Sequence, residues 1–332
     1  MQEYIGAVDN QTIEQKEKNY KLAEVCAAIS PVSWVKKSDW NRFPVRDQNG
    51  SLTCVCQTYA TELGIIFKQK YGEWIDFSAS FPYQQRGGTY GGCNSIDVYT
   101  NFPKIGNIFE SFMPSQKMHE EEVLAVSNKA YYKDLAKSFT VKRIESPIDF
   151  ETAASTVQAT GKGVMVWFKF SSGEWTSVPQ VLDTPTTSGH SVTIVDCLLG
   201  SEEINAKYGI NLVIGKKYLV IQDSWGLAYA INGYRFISEE YFKARCFLVS
   251  YLKTFQTLTA KEEVEKPIFN GTVKSLQEIL IYEGFLAVGL NTNYFGTLTK
   301  NALILFQKAK GISPALGNFG PITKQYLLDN YK

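Results

Sequence analysis

The sequence predicts an α+β fold, with a helical part, an antiparallel β part and a small C-terminal three-helix domain. Three observations carry this expectation. Residues 54–70 set Val55, Tyr59, Leu63, Ile66 and Phe67 near helical spacing. Three later runs, Val164-Met-Val-Trp-Phe-Lys-Phe, Ser191-Val-Thr-Ile-Val-Asp and Tyr218-Leu-Val-Ile-Gln, are short, rich in β-branched and aromatic residues, and bounded by Gly and Ser, as strands are. A helix first and strands later is the order of an α+β domain rather than of alternating βα units. Beyond residue 268 the pattern turns helical again.

The elements follow in chain order. Residues 1–30 read as an N-terminal extension whose charged stretch from Thr12 to Glu24 favours a helix packed on the main domain, with a partner-binding arm as the alternative. Residues 31–255 form the main domain. Residues 256–268 are charged, end in Pro267-Ile268 and suit a linker. In residues 269–332 an amphipathic helix runs from Val273 to a Gly284 stop, a second spans Leu298–Ala309, and a third begins near Pro321, a favoured first-turn residue. Tyr294-Phe-Gly-Thr-Leu-Thr-Lys and Asn318-Phe-Gly-Pro-Ile-Thr-Lys echo each other, each with a Phe-Gly turn ahead of a helix.

Composition narrows the function. With 332 residues, 44% hydrophobic and 20% charged, the chain can bury a full core in one of two domains. A net charge of +1 gives no field to draw nucleic acid or an anionic membrane, so neither is an expected partner. No apolar run approaches the roughly 18 residues of a membrane span. The start, Met-Gln-Glu-Tyr-Ile-Gly-Ala-Val-Asp-Asn, lacks the basic and apolar regions of a secretory signal, so release by lysis, in a virion or through a dedicated apparatus is the expected route. Cysteines at 26, 54, 56, 93, 197 and 246 include no Cys-x-x-Cys pair, and synthesis in a reducing compartment fits best, a single disulfide staying open. Neither a metal nor a cofactor is expected.

Chemistry concentrates in three segments. In Pro44-Val-Arg-Asp-Gln-Asn-Gly-Ser-Leu-Thr-Cys, Cys54 falls at a predicted helix N-terminus, where free N–H groups and the helix dipole favour a thiolate; a packing role is the alternative. A general base near neutral pH is usually His, and the chain has two. His119, in Met-His-Glu-Glu-Glu, reads as a surface residue. His190, in Ser188-Gly-His-Ser-Val-Thr-Ile-Val-Asp, opens a strong strand that holds its ring at the sheet end. Asp223 in Asp-Ser-Trp-Gly can orient that imidazole, with Trp225 shielding it from water; a turn or cap role for Asp223 is the alternative.

Together these segments resemble the papain-like cysteine peptidases, over roughly residues 31–250. Val45-Arg-Asp-Gln-Asn-Gly-Ser-Leu-Thr-Cys is similar to the family's Val-x-Asp-Gln-x-x-x-x-x-Cys, with Gln48 six residues before Cys54. Gly-His-Ser-Val-Thr-Ile-Val is similar to the strand opening with the family's His, and Asp-Ser-Trp-Gly with Asn232-Gly-Tyr-Arg-Phe-Ile to its Asn-Ser-Trp-Gly…Asn-Gly-Tyr-x-x-Ile. Tyr90-Gly-Gly-Cys-Asn is similar, more loosely, to the Gly-rich strip that pairs with substrate backbone. In that family His and Asn follow the Cys by about 130–150 residues; here His190 and Asp223 follow by 136 and 169. The resemblance implies a two-subdomain fold, Cys54 as nucleophile, His190 as acid and base, Asp223 as orienter, Gln48 in the oxyanion hole, and Gly91, Gly92 and Trp225 against the substrate. Departures are Val55 and Leu52 where the family has Trp and Cys, Asp223 for Asn, a long His190–Asp223 interval, and an N-terminal segment too short for the usual inhibitory propeptide. Cys56 is a rival nucleophile.

Residues 269–330 resemble the peptidoglycan-binding domain 1 family in Val273-Lys-Ser-Leu-Gln, Tyr294-Phe-Gly-Thr-Leu-Thr-Lys-Asn-Ala, Leu305-Phe-Gln-Lys-Ala-Lys-Gly-Ile and Gly317-Asn-Phe-Gly-Pro-Ile-Thr. Most of these residues are structural, Leu276 and Phe306 being core. The resemblance implies binding to a cell-wall glycopeptide, and a docking module is the alternative. The leading expectation is a cysteine endopeptidase acting on protein or peptide and tethered by this module. The alternatives are a peptidoglycan cross-link hydrolase and a non-enzymatic phage structural or assembly protein. The tethering module and the polar N-terminus point to a bacterial or phage source.

Overall fold

The computed structural model describes residues 6–8, 10–12, 31–88, 91–171, 173–255, 265–286 and 289–332. The expected N-terminal helix and most of the linker lie outside these residues. Strands are β1 (Ala7–Val8), β2 (Cys93–Asn94), β3 (Val141–Ser146), β4 (Val164–Phe170), β5 (Ser188–Leu199), β6 (Lys217–Gln222), β7 (Tyr234–Ser238) and β8 (Cys246–Phe255). The long helix α1 (Cys54–Tyr71) is followed by the short α2 (Ser80–Gln84), α3 (Phe102–Ile105), α4 (Glu120–Ala125) and α5 (Tyr132–Ala136). α6 (Phe150–Thr160), α7 (Glu202–Tyr208) and α8 (Glu239–Arg245) lie among the strands, and α9 (Val273–Tyr282), α10 (Thr297–Ala309) and α11 (Pro321–Asn330) close the chain. The fold is α+β, a helical part against a six-stranded antiparallel sheet ordered β3-β8-β4-β5-β6-β7, with a C-terminal helical unit.

Burial explains the sequence patterns. In β4, Met165 and Trp167 enter the core shared with α1, while Val164, Val166, Phe168 and Phe170 enter the core under α6 and α8. A strand covered on both faces reads as a continuous apolar run with period-2 partition. α1 is buried almost all round, so its polar residues need partners. Gln57 bonds Arg46 and Ser115, Thr58 meets Ser191, and Glu62 pairs with Arg143 of β3. Gly72, in the left-handed region at φ 83°, ends the helix and returns its N–H to Lys68 O.

The C-terminal echo is a pair of buried glutamine staples. Gln277 Nε2 donates to Tyr294 O and Thr299 Oγ1, and its Oε1 accepts from Asn293 N–H. Gln307 repeats this with Asn318 O, Thr323 Oγ1 and Gly317 N–H. Gly296 and Gly320 are extended N-caps of α10 and α11 rather than turn residues. Asn301 of α10 donates to Tyr71 O at the C-terminal end of α1. With about 1.5 Å per residue, this contact lies about 26 Å along α1 from Cys54. No helix among the described residues is long and apolar enough to cross a membrane.

Candidate active site

The segments singled out in the sequence are joined by main-chain bonds. Gln48 N–H donates to Ser224 O at 2.8 Å, and Gly226 N–H donates to Arg46 O at 3.0 Å. Gly226, at φ 85°, lets the chain pass Asp47 where a Cβ would come to 3.0 Å of its carboxylate. Ser224 Oγ donates to Gln48 Oε1 at 2.6 Å, which fixes the amide so that Nε2 bonds Ser51 O with one hydrogen and keeps the other for the cleft. Cys54 is the first residue of α1, whose N-cap Thr53 makes no side-chain cap bond and whose first turn holds no acid.

His190 stands near the start of β5, opposite Phe168. Its Nε2 meets Asp223 Oδ1 at 2.7 Å, which leaves Nδ1 for the Cys54 sulfur that lines the same cleft. Cys54, His190 and Asp223 are 1%, 3% and 2% exposed. Burial disfavours a charged imidazole, but the Asp223 charge and hydrogen bond, with a smaller contribution from Cys54, outweigh it and push His190 up to about 9. Asp223 is held below the usual carboxylate range; burial would raise it, and His190 and Arg235 overcome that. Because the raised group keeps its proton below its folded pKa, the imidazolium persists through neutral pH and is lost as pH rises through about 9. A fall in kcat/KM through that pH is expected; a limb near the ordinary histidine value of about 6.5 would contradict it.

Some expected residues sit differently. Trp225 packs on His190 at 5.3 Å between ring centres, while the indole bonded to Asp223 belongs to Trp175, whose Nε1 donates to Oδ2 at 2.8 Å. Cys56 is turned away to Cys93, Sγ to Sγ 3.4 Å, and burial pushes its thiol up. His119 is exposed at the N-cap of α4. The long interval between His190 and Asp223 is the twelve-residue β5, α7 and β6. Sequence reasoning missed Trp175, which comes from a loop, and Arg235, whose charge inside the buried strand Tyr-Arg-Phe-Ile-Ser was the available signal.

The cleft, about 440 Å³, is lined by Gln48, Leu52, Cys54, His190, Trp225 and Tyr229, with Gly6 inside it. A Cβ on Gly6 would come to 2.6 Å of Cys54 Sγ, and one on Gly92 would run into the Gly6 carbonyl. β1 pairs parallel with β2, Ala7 opposite Cys93. Gly6 N–H donates to Gly189 O at 3.2 Å, and Cys93 N–H donates to Gly6 O at 3.1 Å. Asn10 is tied to Ser95. The pairing therefore falls on Cys93 and Asn94 rather than Gly91. The N-terminal segment, shorter than the usual inhibitory propeptide, passes Cys54 at Gly6.

A helical half and an antiparallel half meet at a cleft with Cys at a helix start on one side and His on a strand on the other. The fold is that of the papain-like cysteine proteases. Xylellain, a cysteine protease from Xylella fastidiosa, superposes with TM-score 0.52 at 18% identity over 70% of this chain and 89% of its own. The proform of Amb a 11, a ragweed pollen cysteine protease, gives 0.51 and 18% over 69% and 68%. The cysteine protease and lectin-like domains of Cwp84, a surface layer associated protein of Clostridium difficile, give 0.52 and 13% over 76% and 61%. At these identities the papain-like likeness is one of fold. Residues 270–327 match the model of a peptidoglycan binding domain family. Comparison of the sequence with curated proteins found no match.

Proposed function

We propose that the chain is a cysteine endopeptidase, with residues 31–255 as catalytic unit, 256–268 as linker and 269–332 as tether to the cell wall. One observation carries the reading: Cys54, at the start of α1, shares a cleft with the His190 imidazole, which Asp223 holds from its other side. The Cys54 thiolate, beside protonated His190, attacks the scissile carbonyl carbon. Gln48 Nε2 and the Cys54 N–H receive the oxyanion. His190 gives its proton to the leaving amine, then takes one from water as that water attacks the thioester, and the acid product leaves Cys54 free. The peptidoglycan-binding match favours a second reading, hydrolysis of wall cross-links by the same groups. Incubation with an unfolded protein and with purified sacculi separates the two. Cleavage of the protein supports the endopeptidase, soluble wall fragments alone support the second reading, and neither product contradicts both.

In this reading Gly6, Ala7, Val8 and Asn10 act as a cover. Gly6 O is engaged by Cys93 N–H, away from the proposed oxyanion donors, so the segment is seated without its Gly6–Ala7 bond poised for attack. Deleting residues 1–12 is expected to raise the rate of Cys54 modification by a thiol-directed epoxide about tenfold or more, the factor that 1.4 kcal/mol of lost cover would release. An unchanged rate would contradict the cover.

A further inference from the structure

Asp223 is bonded on all sides. Oδ1 accepts from His190 and from Ser224 N–H at 2.7 Å, and Oδ2 accepts from Trp175 Nε1 and Arg235 Nε, each at 2.8 Å. Arg235, 2% exposed, also donates from Nη1 to Trp175 O at 2.8 Å. Its guanidinium lies 5.2 Å from the ring centres of both Trp175 and Trp225. β7 places it opposite Ile221 on β6, two residues before Asp223, and Asp223 N–H donates to Gly233 O beside it. A planar cation with an indole on each side, its Nε and Nη1 each committed to one acceptor, is a task for Arg and not Lys.

We infer that Arg235 is a positioning residue of this site: its fixed positive charge offsets that of Asp223, so the carboxylate orients His190 without over-holding the catalytic proton. The inference rests on the reading proposed above. His190 must release a proton to the leaving amine and later accept one from water. A lone buried carboxylate at hydrogen-bond distance would hold imidazolium firmly enough to slow proton release to the leaving amine, and would keep His190 protonated when the second step needs it neutral. With Arg235 present the Asp223 carboxylate lies between two cations, Arg235 and protonated His190. Asp with Arg then does what a neutral amide with a neutral neighbour would do. The other charged or titratable groups around the cluster, among the described residues, are Asp47 and Tyr229 at the cleft, Tyr241 against Trp175, and Glu174 beyond Trp175, which is paired with Arg245 and accepts from Tyr241 Oη.

The test measures pH profiles of kcat and kcat/KM on the full chain for wild type, Arg235→Gln, Arg235→Lys, Asp223→Asn and Asp223→Asn/Arg235→Gln. Arg235→Gln is expected to lower kcat about tenfold or more and to move the alkaline limb up by about one pH unit. Asp223→Asn, which strands the cation, moves the limb down. The double variant returns the limb toward wild type with a kcat above either single, and Arg235→Lys keeps the limb while losing part of kcat. If Arg235→Gln fails to fold, the comparison of Asp223→Asn with the double variant carries the same signature. A residue that only braces β7 would change stability and leave the limb in place, so an unmoved limb in Arg235→Gln, or a double variant no better than its worse single, overturns the inference while wild-type turnover keeps the parent reading. A wild type that neither turns over nor reacts with an epoxide at Cys54 overturns both.

Discussion

His190→Ala is expected to lower kcat/KM on an unfolded protein by about 10⁴-fold or more, with the fold intact. His190 carries both proton transfers, and the other histidine, His119, is exposed at the N-cap of α4, where it meets Asn49 on the cleft rim at 3.3 Å but does not line the cleft beside Cys54. The alanine leaves Asp223 with three of its four donors, Ser224 N–H, Trp175 and Arg235. Its charge stays paired, so thermal unfolding should change little beside the loss of rate. A variant within tenfold of wild type would remove His190 from the chemistry. Cys54→Ala should abolish turnover as completely, because among the described residues Cys54 is the cysteine that lines the cleft with His190.

The largest expected effect on stability lies behind α1. Arg143 Nη2 meets Glu62 Oε2 at 2.6 Å, Nη1 reaches Glu62 Oε1 and Ser250 Oγ, and both ionic side chains are 1% exposed. The pair joins the helical part to the sheet through β3 and β8. Arg143→Met strands a buried carboxylate and should cost about 3–5 kcal/mol in denaturant unfolding, whereas Glu62→Leu/Arg143→Met should recover most of that loss, because the cost comes from the unpaired charge rather than from the pair itself. Equal destabilisation in the single and double variants would contradict this.

These two predictions divide at the line between what the sequence made legible and what it did not. Gln48, Cys54, His190 and Asp223 stand in short local motifs whose spacing survives folding, and the structure gathers all four at one cleft. α1 followed from periodicity, and β4, β5 and β6 from short β-branched and aromatic runs between turn residues. Glu62 and Arg143 were hidden because a charge in a helix or strand reads as a solvated face until its partner, 81 residues away, is known. β3, Val-Lys-Arg-Ile-Glu-Ser, escaped for the same reason. Arg235 sits inside a motif that was read, but its direction is set by the pairing of β7 with β6. Gly6 has no local signature at all. Only the approach of Gly92 and Gly189 to its backbone gives it a place.

The central claim is that Cys54 is the nucleophile, activated by His190. Its most direct test is peptide mapping of the full chain after reaction with a thiol-directed epoxide at neutral pH, beside His190→Ala. A single adduct on Cys54 that forms at least about tenfold more slowly in His190→Ala is the predicted result. An adduct on Cys56, or one on Cys54 that forms equally fast without His190, would contradict it.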